Sequence, residues 1–221
     1  MNNGTGTTIA VFAKAPNPGE VKTRLIPALG AEGAAALHRV LVQRTLGTAV
    51  DAGVGPVQLW CAADAGHPFF AECGRRFGVQ VLSQCDGDLG VRMYHAFEIL
   101  LGASERALIV GSDIPALTPA YLRAADAALA RGRDAVLGPA QDGGYVLIGL
   151  RRVAADVFEH IGWGGADVLD TTRARLTRLG WRHEELPTLW DVDCPEDLER
   201  ESVRDLVLSV RRARRWISRF R

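Results

Sequence analysis

Ala107-Leu108-Ile109-Val110-Gly111-Ser112-Asp113-Ile114-Pro115 runs from four consecutive apolar residues into a glycine, a serine and a carboxylate. A short apolar run bounded by turn residues reads as a buried strand. Gly111 and Pro115 then shape a tight exit that leaves Asp113 at the rim of the sheet. A carboxylate at a strand end is a common way to hold magnesium against a phosphate. The plainer reading is a turn or cap residue, but Thr118 already stands as N-cap of the next helical stretch.

Outward from this run, short β-branched segments alternate with amphipathic ones. The pattern predicts strands over 9–12, 57–61, 79–82, 107–110, 135–137, 145–150 and 181–186. It predicts helices over 31–52, 67–77, 89–101, 119–130, 153–160 and 166–179, and one long helix from Pro195 to the C-terminus. Such alternation implies an α/β fold: a three-layer α/β/α sandwich, Rossmann-like, around a mostly parallel sheet. Residues 1–8 form a polar Gly/Thr leader expected to be disordered, and 9–221 are expected to form a single domain with a basic C-terminal helix.

Ligands of such sheets sit beyond the carboxyl ends of the strands, so the residues that follow each strand carry the functional signal. After the first strand comes Lys14-Ala15-Pro16-Asn17-Pro18-Gly19-Glu20-Val21-Lys22-Thr23-Arg24. The chain has 26 lysines and arginines, and its only two lysines, Lys14 and Lys22, are both in this loop. A compact ammonium suits a crowded phosphate cluster where a planar guanidinium does not. Pro16, Pro18 and Gly19 prevent regular structure, so backbone N–H groups and the cations Lys14, Lys22 and Arg24 can wrap a polyphosphate. Chance in an arginine-biased composition is the other explanation. Neither a Walker loop nor a G-x-G-x-x-G dinucleotide loop is present.

Three further segments follow strands, and a fourth, at Trp163, precedes a helix. Gly87-Asp88-Leu89-Gly90 opens a helix bearing Arg92, which could reach a base or phosphate or be a surface charge. Asp142-Gly143-Gly144 is a turn that either addresses a sugar or acceptor or simply closes a hairpin. Trp163, before Gly164-Gly165, is either a stacking platform for a ring or a core residue. Asp191 and Asp193 alternate, so in a strand they share one side and could share a metal, unless one is a turn or capping residue. Glu196 and Asp197 read as first-turn helix acids. The five histidines lack i, i+4 pairing and read as structural or exposed.

Bulk properties narrow the partners. Net charge is zero and pI is near 7, so nucleic acid is not an expected partner and any anion site is local. Four scattered cysteines without a C-x-x-C pair fit a reducing, cytoplasmic setting. No apolar run approaches 18 residues, so no membrane span is expected. The arginine-rich C-terminus, 211–221, with Trp216, Ile217 and Phe220 interleaved, reads as a solvated terminal helix or, alternatively, a membrane or nucleic-acid contact.

These motifs, in this order, resemble the nucleotide-diphospho-sugar transferase superfamily, with its glycosyltransferase-A fold. Within it the chain is similar to a bacterial group of glycosyltransferase-like proteins. The likeness rests on A-K-x-P-x-x-G-x-V-K-T-R-L at Ala13 to Leu25, G-D-L-G-x-R-M at Gly87 to Met93 and G-x-D-x-P-x-L at Gly111 to Leu117. It continues with G-P-x-x-D-G-G-Y-x-L-I-G at Gly138 to Gly149 and D-x-D-x-P-E-D-L at Asp191 to Leu198. More distantly it resembles 2-phospholactate and molybdenum-cofactor guanylyltransferases and CMP-Kdo synthetase.

The resemblance implies catalytic roles for Lys22, Arg24 and Asp113. It implies a nucleotide-binding set of Lys14, Pro16, Gly19, Lys22, Arg24, Gly87, Asp88, Arg92 and Ser112. It implies Mg2+ or Mn2+ on Asp113 and Asp193, with Asp191 nearby, and an acceptor or sugar near Asp142, Gly143, Gly144 and Trp163. The expected activity is Mg-dependent nucleotidyl transfer from a nucleoside triphosphate to a small phosphorylated acceptor, with release of pyrophosphate. Glycosyl transfer from a nucleotide-sugar donor is the alternative, and a non-catalytic nucleotide-binding module is a third. The sequence departs from the superfamily in two places: the first loop lacks the G-x-G/S-x-R-M-G form, and only Gly111-Ser112-Asp113 stands where many glycosyltransferases carry D-x-D.

Overall fold

A computed structural model describes residues 4–62, 64–200 and 202–208. Among these, seven strands form one sheet in the order β3-β2-β1-β4-β6-β5-β7. The strands are β1 Gly4–Lys14, β2 Val57–Ala62, β3 Gln80–Ser83, β4 Ser104–Gly111, β5 Ala135–Pro139, β6 Tyr145–Leu150 and β7 His183–Glu185. The helices are α1 Ile26–Ala52, α2 Pro68–Phe77, α3 Leu89–Ala103, α4 Pro119–Ala130 and α5 Val168–Arg178. All strand pairs are parallel except those of β6, which runs antiparallel to β4 and β5.

Period-two alternation explains the three layers. In β1 and β4, Ile9, Val11, Leu108 and Val110 enter one core with Val42 and Leu46 of α1, Phe69 of α2 and Leu122 of α4. Ala10, Ala107 and Ile109 enter the opposite core with Met93 and Phe97 of α3, Leu176 of α5, and Phe158 from the segment before α5. Central strands buried on both faces must be apolar throughout, which is why the 107–110 run has no polar interruption.

The chain passes from β1 outward to β2 and β3, then returns to place β4 on the other side of β1. The crevice between the carboxyl ends of β1 and β4 is therefore a topological switch point. Phe12 pairs with Gly111 there, so the loops after Lys14 and Gly111 leave side by side. A third apolar cluster of Leu25, Leu37, Leu41, Val192, Val203 and Val207 ties the lysine loop and α1 to the Asp191–Asp193 segment.

Several expectations are corrected. β1 begins at Gly4, not Ile9, and Thr7 donates to Asp126 and accepts from Arg106 Nε at 2.9 Å, so part of the expected leader is sheet. The 153–160 helix is only a 3₁₀ turn at Ala155–Val157. The helix after Pro195 is a 3₁₀ turn ending at Glu199, where Arg200 turns extended (ψ 133°); residues 202–208 are helical again. The arginine-rich terminus, 211–221, lies outside the described residues. The segment Thr23–Ala52 is, by length and mean hydropathy of 1.3, apolar enough to span a membrane, contrary to the expectation from uninterrupted runs. In this fold its apolar stripe packs on the sheet through Val42, Leu46 and Ala49, all fully buried.

Candidate functional site

Of the three cations in the lysine loop, Lys22 is drawn out of solvent while Lys14 and Arg24 stay exposed. Lys22 adopts a left-handed backbone (φ 49°), a conformation that costs a non-glycine residue energy unless the surroundings impose it. Its side chain is 5% exposed, and its Nζ lies 2.7 Å from Asp113 Oδ2 and 3.9 Å from Asp193 Oδ1. The same Nζ donates to the Val192 carbonyl at 2.6 Å. Arg24, 74% exposed, pairs with Asp193.

Asp113 is the hub. Helix α1 carries two polar residues, His38 and Thr45, on its buried stripe, and both address the loop after β4. His38 Nδ1 lies 3.4 Å from Asp113 Oδ1, and its Nε2 is 3.0 Å from the Lys14 carbonyl. A carbonyl only accepts, so Nε2 carries a proton. Thr45 Oγ1 donates to the Ser112 carbonyl at 3.3 Å, and Ser112 Oγ donates to Asp113 Oδ1 at 3.3 Å. Burial alone would raise the Asp113 pKa. The Lys22 ammonium and the His38 ring outweigh it and hold the carboxyl well below the usual carboxylate range. His38 is the site residue that the sequence reading missed. The available signal was a histidine in register with Val42, Thr45 and Ala49 on an otherwise apolar stripe.

Two clefts meet at Asp113. The first, about 380 Å³, is lined by Lys14, Lys22, Arg24, Arg92, His38, Asp193, Phe12, Gln84 and Leu89, among others. Arg92 contributes a buried Nε with no hydrogen-bond partner among the described residues. The second, about 230 Å³, is lined by Asp142, Asp191, Gly144, Tyr145 and Trp163, and shares Gly111, Ser112, Asp113 and Leu89 with the first. The first sets Lys14, Lys22, Arg24 and Arg92 against the carboxylates of Glu20, Asp113 and Asp193, whereas the second has three aspartates and, among the described residues, no basic one.

Residues 187–193 are not a strand, so Asp191 and Asp193 do not share a side. Val192 between them is fully buried and its N–H donates to the Asp113 carbonyl at 2.9 Å. Asp193 faces the first cleft and Asp191 the second. Burial, and then the nearby Asp142 carboxylate, raise the Asp191 pKa. Asp197, in the first turn after Pro195, accepts the Asp193 and Cys194 N–H groups at 3.0 and 2.9 Å and so caps that turn.

Other expected residues separate. Asp88 caps α3 by accepting from Val91 N–H at 2.9 Å, and neither it nor Gly87 lines the first cleft. Pro16 and Gly19 shape the loop but also stay off the cleft wall. Asp142 closes the β5–β6 hairpin by accepting from Gly144 N–H at 3.0 Å, and it also lines the second cleft. Gly143, at φ 90°, lies against Ala166, where a Cβ would come within 2.0 Å of its carbonyl oxygen; it has a steric role and does not line the cleft. Trp163 is at once a cleft wall and a core residue, edge-on to Tyr145 at 6.4 Å.

Among the described residues no three His, Cys, Asp or Glu side chains group closely enough to hold a metal. The donors that would suit Mg2+ or Mn2+ are Asp113 and Asp193 with the Val192 carbonyl, an all-oxygen set fit for a hard cation. In this structure those oxygens face the Lys22 ammonium.

The fold and its likeness to a solved structure place the chain among transferases of the nucleotide-diphospho-sugar class. The family model described as "Uncharacterized protein conserved in bacteria (DUF2064)" matches residues 45–165, and the chain belongs to that family. A crystal structure from Desulfovibrio desulfuricans G20, provisionally named a nucleotide-diphospho-sugar transferase, is 30% identical over 92% of this chain and 97% of its own, with a TM-score of 0.79. The inositol-1-phosphate CTP transferase of T. maritima is similar in fold at 12% identity, covering 94% of this chain and 97% of its own, with a TM-score of 0.60. Glucosyl-3-phosphoglycerate synthase of Mycobacterium tuberculosis, in complex with Mn2+, UDP and glucosyl-3-phosphoglycerate, is similar in fold at 11% identity, covering 93% of this chain and 79% of its own, with a TM-score of 0.55. No curated protein matches the chain by sequence.

Proposed function

We propose that the chain is a nucleotidyltransferase that binds a nucleoside triphosphate in the cation-rich cleft and its acceptor in the acidic one. The observation that carries this reading is the charge division between two clefts that meet at Asp113. Lys14, Lys22, Arg24 and Arg92 offer charge to the triphosphate, and Phe12 and Leu89 offer apolar surface to the base. An acceptor oxygen attacks the α-phosphorus from the acidic cleft. The bridging oxygen leaves with its electron pair on pyrophosphate. Positioning and charge neutralisation are what such a site contributes.

Mg2+ or Mn2+, held by Asp113 and Asp193, would supply neutralising charge for the phosphates. The T. maritima CTP transferase supports the reading at the level of fold.

The acid lining of the second cleft and the Trp163 ring favour one other reading, glycosyl transfer, in which the sugar of a nucleotide-sugar donor lies there. Carboxylates accept from sugar hydroxyls, and an indole face suits a sugar ring.

Thermal shift with magnesium separates the two, using each common nucleoside triphosphate beside UDP-, GDP- and dTDP-sugars, with Asp113→Asn as control. Stabilisation by one triphosphate, lost in the variant, supports nucleotidyl transfer. Stabilisation by nucleotide sugars alone overturns it in favour of glycosyl transfer.

A further inference from the structure

We infer that the Lys22 ammonium is a built-in occupant of the divalent-cation position, and that metal binding releases it to the nucleotide phosphates. The inference rests on the proposed nucleotide site and goes beyond it, to the order in which charges are exchanged there. Three oxygens face one nitrogen: Asp113 Oδ2 at 2.7 Å, the Val192 carbonyl at 2.6 Å and Asp193 Oδ1 at 3.9 Å. This all-oxygen set serves an ammonium or a hard divalent cation equally well, since both need only acceptors.

The exchange follows from counting donors. An ammonium has three N–H groups. With two in close hydrogen bonds and the third side toward Asp193, Lys22 has nothing left for a phosphate. If it leaves alone, Asp113 and Asp193 keep, among the described residues, Arg24 beside Asp193 and the His38 ring beside Asp113, and the two carboxylates lose the ammonium they share. A divalent cation removes that cost by replacing one positive charge with two. The freed ammonium then faces the first cleft, which Lys22 already lines. Metal and nucleotide therefore each favour the other, with a coupling in the ordinary range of about 5–150-fold.

Lysine content makes the exchange observable. Lys14 and Lys22 are the only lysines, so 13C-lysine labelling gives two side-chain signals, and Lys14→Arg, a change at an exposed position, assigns them. Lys14 is exposed and bonds the site only through its backbone carbonyl. In the wild-type chain, millimolar Mg2+ should move the Lys22 side-chain signal and leave that of Lys14 in place. In Lys22→Met, Mn2+ titrated without nucleotide and read by electron paramagnetic resonance should bind roughly tenfold tighter than in the wild type, because its competitor is gone.

An unmoved Lys22 signal at saturating Mg2+, or Mn2+ affinity in the variant equal to or below wild type, overturns the inference. The wild-type spectrum decides the matter even if the variant does not fold. Neither measurement contains nucleotide, so failure of every nucleotide to bind would overturn the proposed function while leaving the Lys22 exchange to be judged on the metal data.

Discussion

His38 Nδ1 lies 3.4 Å from Asp113 Oδ1 while its Nε2 bonds the Lys14 carbonyl, so one buried imidazole joins the end of β1 to the rim of β4. The ring is 4% exposed and spans the switch point. Replacing it with alanine leaves the Lys14 carbonyl without its partner and opens a void beside Asp113. His38→Ala should lose about 1–3 kcal/mol in urea denaturation, the usual cost of stranding a buried polar group. Nucleotide binding measured by calorimetry should weaken in step. Unchanged stability and unchanged binding would remove His38 from the site.

The depressed Asp113 carboxyl has a definite pH signature. Its folded pKa lies below the unfolded one, so its stabilising pairing is fully present above the ordinary carboxylate pKa of about 3.9 and lost as pH falls below it. Asp113→Asn removes that contribution and strands Lys22. The stability gap between wild type and variant should be wide at neutral pH and close in acid. A gap of equal size at pH about 3 and about 7 would contradict the assignment.

Asp191 carries the opposite sign. Its folded pKa is raised by burial and by Asp142, so its ionisation works against folding as pH rises from the unfolded pKa through the folded one. Asp191→Asn should melt higher than wild type at neutral pH, by a few degrees at most, since about 1 kcal/mol moves Tm by roughly 2–4 °C in a chain of this size. The advantage should vanish below the ordinary carboxylate range. A lower Tm at pH about 7 would show that the Asp191 carboxylate is a structural acceptor instead.

Gly90 lies within α3, where alanine ordinarily stabilises by about 0.5–1 kcal/mol. Here a Cβ would meet the Phe158 carbonyl oxygen at 2.6 Å and Trp163 Nε1 at 2.8 Å. Gly90→Ala should therefore destabilise, by about 1–3 kcal/mol, and shift the Trp163 fluorescence as the indole is pushed out of the cleft wall. A stabilised variant would mean that Trp163 and the segment around Phe158 yield easily, and that the second cleft is not rigid.

The alternation of apolar runs and amphipathic stretches determined the α/β layers, because burial on both faces of a central strand permits no polar residue between Ala107 and Val110. The same logic marked the strand ends, and with them Lys22, Asp113 and Asp142, because polar residues after a buried run must emerge at the sheet's edge. The two lysines, a departure from composition, pointed at the loop that lines the first cleft.

What the sequence could not determine was which charges meet. Lys22 and Asp193 are separated by 171 positions, and the cluster of Leu25, Leu37 and Val192, with the Val192 N–H bonded to the Asp113 carbonyl, brings their backbones together. Helical periodicity marks His38 as buried but not as the neighbour of Asp113. That depends on how α1 sits across β1 and β4, a matter of interhelical and sheet packing. Likewise Asp191 and Asp193 parted because Val192 sank into the third core and Asp197 captured the following N–H groups. Local pattern specifies which residues leave the sheet. Long-range packing decides which cleft each one enters and which charge it meets there.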